Sequence, residues 1–241
     1  MGTQGSFGYK IGRKIRLMHV QYDADMLWQV LVREIYVLMK HYGSIELLRE
    51  VFKNLLEAKN KPNQVAIEKC KVFTDLEVSY KNTDDWYCLT RYCQTSFINI
   101  LESGYILNNG KNSGLVFLLD FNTNSVRFYC IDYEKKTTEY EKATIDEIME
   151  FEDMPTKTYT ELVTEMNSRF ENYYNKVKKV DLEIERINNI IKKTKELGGE
   201  QNIISKANKL LDDIKWQKKG LEMEYRFFYH RLDALNLIEH E

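Results

Sequence analysis

Residues 114–130 read GLVFLLDFNTNSVRFYC, and the parsing of this stretch sets the fold class. The run GLVFLLD (114–120) is too apolar and too short for a surface helix. A second run, VRFYCID (126–132), follows Asn122-Thr123-Asn124-Ser125. Two such runs across a turn-forming interval predict a β-hairpin. Side chains alternate across a strand, so Leu115, Phe117 and Leu119 face one way and Val116 and Leu118 the other. Both faces are apolar, which predicts a central strand covered on both sides.

Working upstream, Phe7, Tyr9 and Ile11 alternate along one arm of a first hairpin. Ile15, Leu17 and His19 alternate along the other, around Gly12-Arg13-Lys14. Asp25 is placed to cap a helix running to about Tyr42, with Leu27, Val30, Leu31, Ile35 and Leu38 on one side. Gly43 ends it, and Ser44 opens a second helix striped with Leu47, Leu48, Val51 and Leu55. KNKPNQ (59–64) is a polar loop around Pro62, and a strand is expected near 71–80. Asn82 to Asp85 lead as a turn into a helix over 86–103, closed by Gly104. Downstream, Thr144 and Glu147 have capping-box spacing for a short helix that stops before Pro155.

The strongest regularity follows. Val163, Met166, Phe170, Tyr173, Val177, Val180, Ile184, Ile187 and Ile191 recur in steps of three and four. After Gly198-Gly199 the pattern resumes with Ile204, Ala207, Leu211, Ile214, Lys218, Leu221, Tyr225, Phe228, Leu232 and Leu235. A 3.5-residue repeat is the coiled-coil signature, and the Gly-Gly break folds two such helices into an antiparallel hairpin. Each helix is about 50 Å long at 1.5 Å per residue. Lys218 interrupts the seam, either setting register or laying its stem along the seam with the ammonium in water. The aromatic run Tyr225, Phe227, Phe228, Tyr229 exceeds what the seam needs, which leaves packing on the globular domain or a partner-binding patch.

Composition excludes several classes. Net charge is −2, and from Thr158 to Glu241 Lys/Arg and Asp/Glu are equal at 15 each, so no basic stripe is offered to nucleic acid. No run of about 18 apolar residues marks a transmembrane span, and the start lacks the apolar core of a secretory signal. Cys70, Cys88, Cys93 and Cys130 have no second pair or nearby histidine to complete a zinc site. They read as free thiols in a reducing cytoplasm. P-loop, dinucleotide-binding, zincin and nucleophile-elbow motifs are all absent, and no metal or cofactor is expected.

HVQYDAD (19–25), where the first hairpin hands over to a helix, is the best site candidate. Asp23 and Asp25 could form an acid–base pair there, or simply cap the helix that begins near Met26. The first six residues, MGTQGS, also fit the N-myristoylation pattern at Gly2. A single acyl chain binds membranes only marginally, and no polybasic cluster of sufficient size follows, so a first strand is the favoured reading and no stable membrane anchor is expected.

M-G-T-x-G at the start, Q-Y-D at 21–23 and D-W-Y-C-L at 85–89 resemble a widespread family of uncharacterised proteins from cells and viruses. Members of that family open M-G-T-R, form a short hairpin, show Q-W-D-G-Y-P, and place a D-W-Y-C-L segment before a strand pair like 114–130. The resemblance spans about residues 1–135. It puts Gly2, Thr3, Gln21, Tyr22, Asp23, Trp86, Tyr87, Cys88, Leu89 and Asp120 at matching positions. Gln4 stands where arginine is usual, and Ala24-Asp25-Met26 replaces Gly-Tyr-Pro. The resemblance implies a fold and carries no established activity. Its start is also similar to that of N-terminal-nucleophile hydrolases, but removal of Met1 would leave Thr3 one place too far in for that chemistry.

The expected architecture is α+β. Residues 1–157 form a mixed or antiparallel sheet with packed helices, and residues 158–241 a long antiparallel coiled-coil hairpin turning near Gly198-Gly199. The expected function is non-enzymatic interaction or assembly, the hairpin joining copies of the chain or binding a protein partner. The binding residues on this reading are Gln21, Tyr22, Asp23, Trp86, Tyr225 and Phe228. The alternative is an amide-bond hydrolase using Thr3, Gln21 and Asp23.

Overall fold

The two expected hairpins form and pair with each other. A computed structural model describes residues 3–74, 85–112 and 114–230, without the side chains of residues 222 and 224–230. Its strands are β1 (Gly5–Ile11), β2 (Lys14–Val20), β3 (Leu56–Glu57), β4 (Tyr105–Ile106), β5 (Gly114–Asp120), β6 (Ser125–Ile131) and β7 (Thr137–Thr144). Its helices are α1 (Leu27–Tyr42), α2 (Ile45–Lys53), α3 (Gln64–Cys70), α4 (Trp86–Leu89), α5 (Phe97–Ser103), α6 (Ile145–Met149), α7 (Tyr159–Glu196) and α8 (Gln201–His230). The chain is α+β and divides into two compact units, the first running to Leu162 and the second beginning at Val163.

In the first unit the main sheet has the order β2-β1-β5-β6-β7. β1 and β5 pair parallel while the remaining neighbours pair antiparallel, so the sheet is mixed. Parallel partners need a long crossover, and the helices between β2 and β5 supply it. β5 lies in the middle, buried from Val116 to Asp120. On one face Phe7 and Phe117 meet Phe97, which in turn meets Phe52 edge-on at 5.3 Å. On the other, Leu17, Val116, Leu118 and Tyr129 form a smaller cluster. Gly8 pairs with Leu17, and a Cβ there would fall 1.9 Å from the Arg16 carbonyl oxygen, so close strand packing fixes the residue as glycine.

The free edge of β2 is covered by the loop after β4. Asn108 Oδ1 accepts from Leu17 N and Asn109 Oδ1 from His19 N, both at 3.0 Å. Gly110 N donates to Leu17 O at 2.8 Å. β7, the opposite edge, is exposed from Thr137 to Lys142 and carries charge, a pattern that discourages edge-to-edge pairing. It had no apolar alternation to announce it.

Several boundaries differ from expectation. The helix expected over 86–103 is three pieces, α4, a 3-10 turn at Arg91–Cys93, and α5, which starts afresh at its N-cap Ser96 and ends at Gly104. Thr90 Oγ1 donates to the Trp86 carbonyl at 2.7 Å, helping to close α4 after one turn. Residues 71–73 are a 3-10 turn continuing from α3, which Asn63 caps, and not the start of a strand; residues 75–80 lie outside the described residues. Neither Asp23 nor Asp25 caps α1. A 3-10 turn at Ala24–Met26 intervenes, and the N-cap of α1, Met26, makes no side-chain cap hydrogen bond. The Thr144–Glu147 capping box is present as expected.

In the second unit α7 and α8 pack antiparallel. Ile187 and Ile191 are buried with Ile204, Leu211 and Ile214, and Val180, Ile184 and Ala207 pack against them. Gly198, at φ 67, turns the chain, and Gly199 N donates back to Thr194 O at 2.8 Å. Lys218, partly buried at the seam, places its Nζ 2.7 Å from Asp181 Oδ1 on the facing helix.

Candidate functional site

Q-Y-D leaves the end of β2, and D-W-Y-C-L forms the single turn of α4, 66 residues apart at their nearest contact. Asp85 caps that turn by accepting from Tyr87 N at 2.9 Å. Tyr87 therefore projects toward Gln21, and its hydroxyl donates to Gln21 Oε1. Arg91 stands four residues beyond Tyr87. Arg91 Nη1 reaches Gln21 Oε1 at 2.8 Å, Tyr87 Oη at 2.7 Å and Gln94 Oε1 at 3.0 Å. Gln21 Nε2 donates to Tyr22 Oη at 3.0 Å. The guanidinium carbon lies 5.4 Å from the centre of the Tyr87 ring and 5.9 Å from that of Tyr22, within cation–π range. The result is one cation surrounded by amides and phenols, on residues from both short motifs.

The other expected residues are placed differently. Trp86 donates Nε1 to the Asn60 carbonyl and packs on Tyr105 at 4.7 Å, these contacts lying with those two residues and not with Gln21. Asp23 is exposed, in the left-handed conformation at φ 58, ψ 31. Thr3 is exposed too, and its contact with this segment is through the main chain: Ala24 N donates to Thr3 O at 3.0 Å. Among the described residues no side-chain hydrogen bond joins Thr3, Gln21 and Asp23. Tyr225 and Phe228 lie on the backbone of α8, and their side chains are outside the described residues, as is Gly2. Close backbone approach belongs to Gly5, where a Cβ would fall 2.7 Å from both Ala24 Cβ and the Leu115 carbonyl oxygen.

A second polar cluster lies in the core. Glu34 on α1 is 2% exposed, and its carboxylate receives Ser96 Oγ and Phe97 N, each at 2.5 Å. It thus sits on the N-terminus of α5, where backbone donors and the helix dipole favour negative charge. Burial nevertheless dominates and pushes its carboxyl up to about 7, the hydrogen bonds from Ser96, Phe97 and Ile98 opposing the rise. Burial likewise pushes the Cys93 thiol well up and that of Cys70 up to about 12, so neither supplies a thiolate near neutral pH.

Sequence reasoning missed Arg91, Gln94, Glu34 and Ser96. Arg91 carried one readable signal, its four-residue spacing from Tyr87, while the Glu34–Ser96 contact, 62 residues apart, carried none. Among the described residues no group of three His, Cys, Asp or Glu side chains could hold a metal ion. No described helix is long and apolar enough to cross a membrane. No protein-family model, curated protein or solved structure matches the chain.

Proposed function

We propose that this is a non-enzymatic assembly protein in which the α7–α8 hairpin joins two copies of the chain as a coiled-coil bundle. One observation carries the reading: an apolar stripe outside the seam. Ile190 on α7 and Leu197, in the turn just past its end, are 47% and 86% exposed, and Ile203 and Leu210 on α8 are 51% and 50% exposed. Each pair is seven residues apart, two helical turns short by about 20°, so each forms one stripe. On α7 the stripe lies roughly a quarter turn to one side of the seam. Because α8 runs in the opposite direction, its stripe falls on the same broad side of the pair. Four branched aliphatic side chains then share one surface near the turn, where a second hairpin would bury them. The equal numbers of acidic and basic residues beyond Thr158 let two identical hairpins meet without net repulsion.

Light scattering on the full chain tests this, against a variant carrying Ile190→Lys, Ile203→Glu and Leu210→Lys. A dimer that becomes a monomer at unchanged helical content supports the reading. A monomer before substitution, or a dimer that survives it, refutes it. We also keep membership of the M-G-T-R family as a proposal, supported by the Gln21–Tyr87 hydrogen bond that brings its two short motifs into contact.

A further inference from the structure

We propose that Arg91 anchors a small aromatic monocarboxylate between Gln21, Tyr22, Tyr87 and Gln94. The donors of the guanidinium are unevenly used. Nη1 has two hydrogens and already faces three neutral acceptors, Gln21 Oε1, Tyr87 Oη and Gln94 Oε1. Nε and Nη2, which carry the other three hydrogens, meet no acceptor among the described residues, and no described carboxylate pairs with Arg91. Those two nitrogens form one edge of the guanidinium fork, whose parallel N–H bonds match the two oxygens of a carboxylate. The contacts on Nη1 hold the plane of the group, so the free edge is pre-oriented.

Gln94 supplies an independent observation. It is 6% exposed, its Oε1 is held by Arg91, and Nε2, the other end of the same amide, donates to no described residue. A buried amide donor without an acceptor is unfavourable, and the oxygen end of the same amide fixes the guanidinium that meets the anion. One guanidinium matches a single negative charge; a phosphate dianion would leave a charge unmatched. The phenol rings of Tyr22, itself 46% exposed, and Tyr87 flank the cation and offer a planar ligand flat apolar surface. Bound there, the carboxylate makes a charge-assisted pair on Nε and Nη2 while the aromatic body lies against Tyr22.

The test is titration of the full-length protein with benzoate, uncharged benzamide and inorganic phosphate, following the Gln94 side-chain N–H signals by 15N NMR. The expected result is saturable benzoate binding with a dissociation constant of about 1 mM or below, and benzamide and phosphate at least tenfold weaker. Arg91→Lys keeps the charge and removes the fork, and should weaken benzoate at least tenfold. If Arg91→Lys does not fold, Gln94→Leu takes its place, with weakened benzoate binding at an unchanged melting temperature as the supporting result. Benzoate without saturable binding, benzamide or phosphate binding as well as benzoate, or a folded variant that binds benzoate unchanged would each overturn the assignment.

Discussion

Lys218 Nζ and Asp181 Oδ1 form an ion pair at 2.7 Å across the two long helices, with side chains 26% and 27% exposed. A half-buried pair in an apolar seam combines a modest Coulomb gain with a desolvation cost. Lys218→Leu alone leaves Asp181 partly buried without this partner and should lower stability by about 1 kcal/mol. Lys218→Leu with Asp181→Leu should recover that loss, since both positions then extend the seam. Urea denaturation of the wild type, Lys218→Leu, Asp181→Leu and the double variant gives the coupling energy, and a double variant no more stable than the worse single one would overturn this prediction.

Glu34 makes stability depend on pH. Burial raises its carboxyl from the ordinary 4.5 to about 7 in the folded protein, so between these values the folded state binds more protons than the unfolded. Stability from this group is complete below the unfolded value and is lost as pH rises through 7, by about 3 kcal/mol in all. Glu34→Gln stays neutral at every pH, and its denaturation midpoint should not show this decline between pH 5 and 8. A wild-type midpoint flat over that range would remove the basis for the prediction.

Gly8 and Gly12 should respond differently to alanine. At Gly8 the new Cβ meets the Arg16 carbonyl at 1.9 Å, which strands in register relieve only by moving apart. At Gly12, with φ 59, nothing lies within 4 Å, so the cost is conformational only. Thermal denaturation should show a loss of about 1 kcal/mol for Gly12→Ala and at least about 2 kcal/mol for Gly8→Ala.

Asp23 distinguishes structural from catalytic roles. At φ 58 its backbone favours Gly or Asn, and its carboxylate caps nothing. Asp23→Asn should leave stability unchanged, and Asp23→Val should cost about 1–2 kcal/mol. An amide hydrolase built on Asp23 would instead lose turnover in Asp23→Asn while keeping its melting temperature.

The residues by themselves determined the elements whose signals are local. The short continuous apolar run at 114–120 marked the central strand, Thr144 and Glu147 marked a capped helix, and the three-and-four spacing beyond Pro155 marked the seam of the helix pair. In each case the information lies within a turn or a strand length, where side-chain direction follows directly from backbone period. Only the tertiary structure decided the rest. β7 has no buried face to encode it and exists because β6 offers it an edge. The helix expected over 86–103 breaks where Thr90 and Ser96 bond the backbone, and Glu34 arrives from α1 to meet the restart. Arg91 acquires its surroundings from Gln21, 70 residues away. A contact at that separation is fixed by how helices and strands pack, and its energy depends on burial and geometry that no local pattern records.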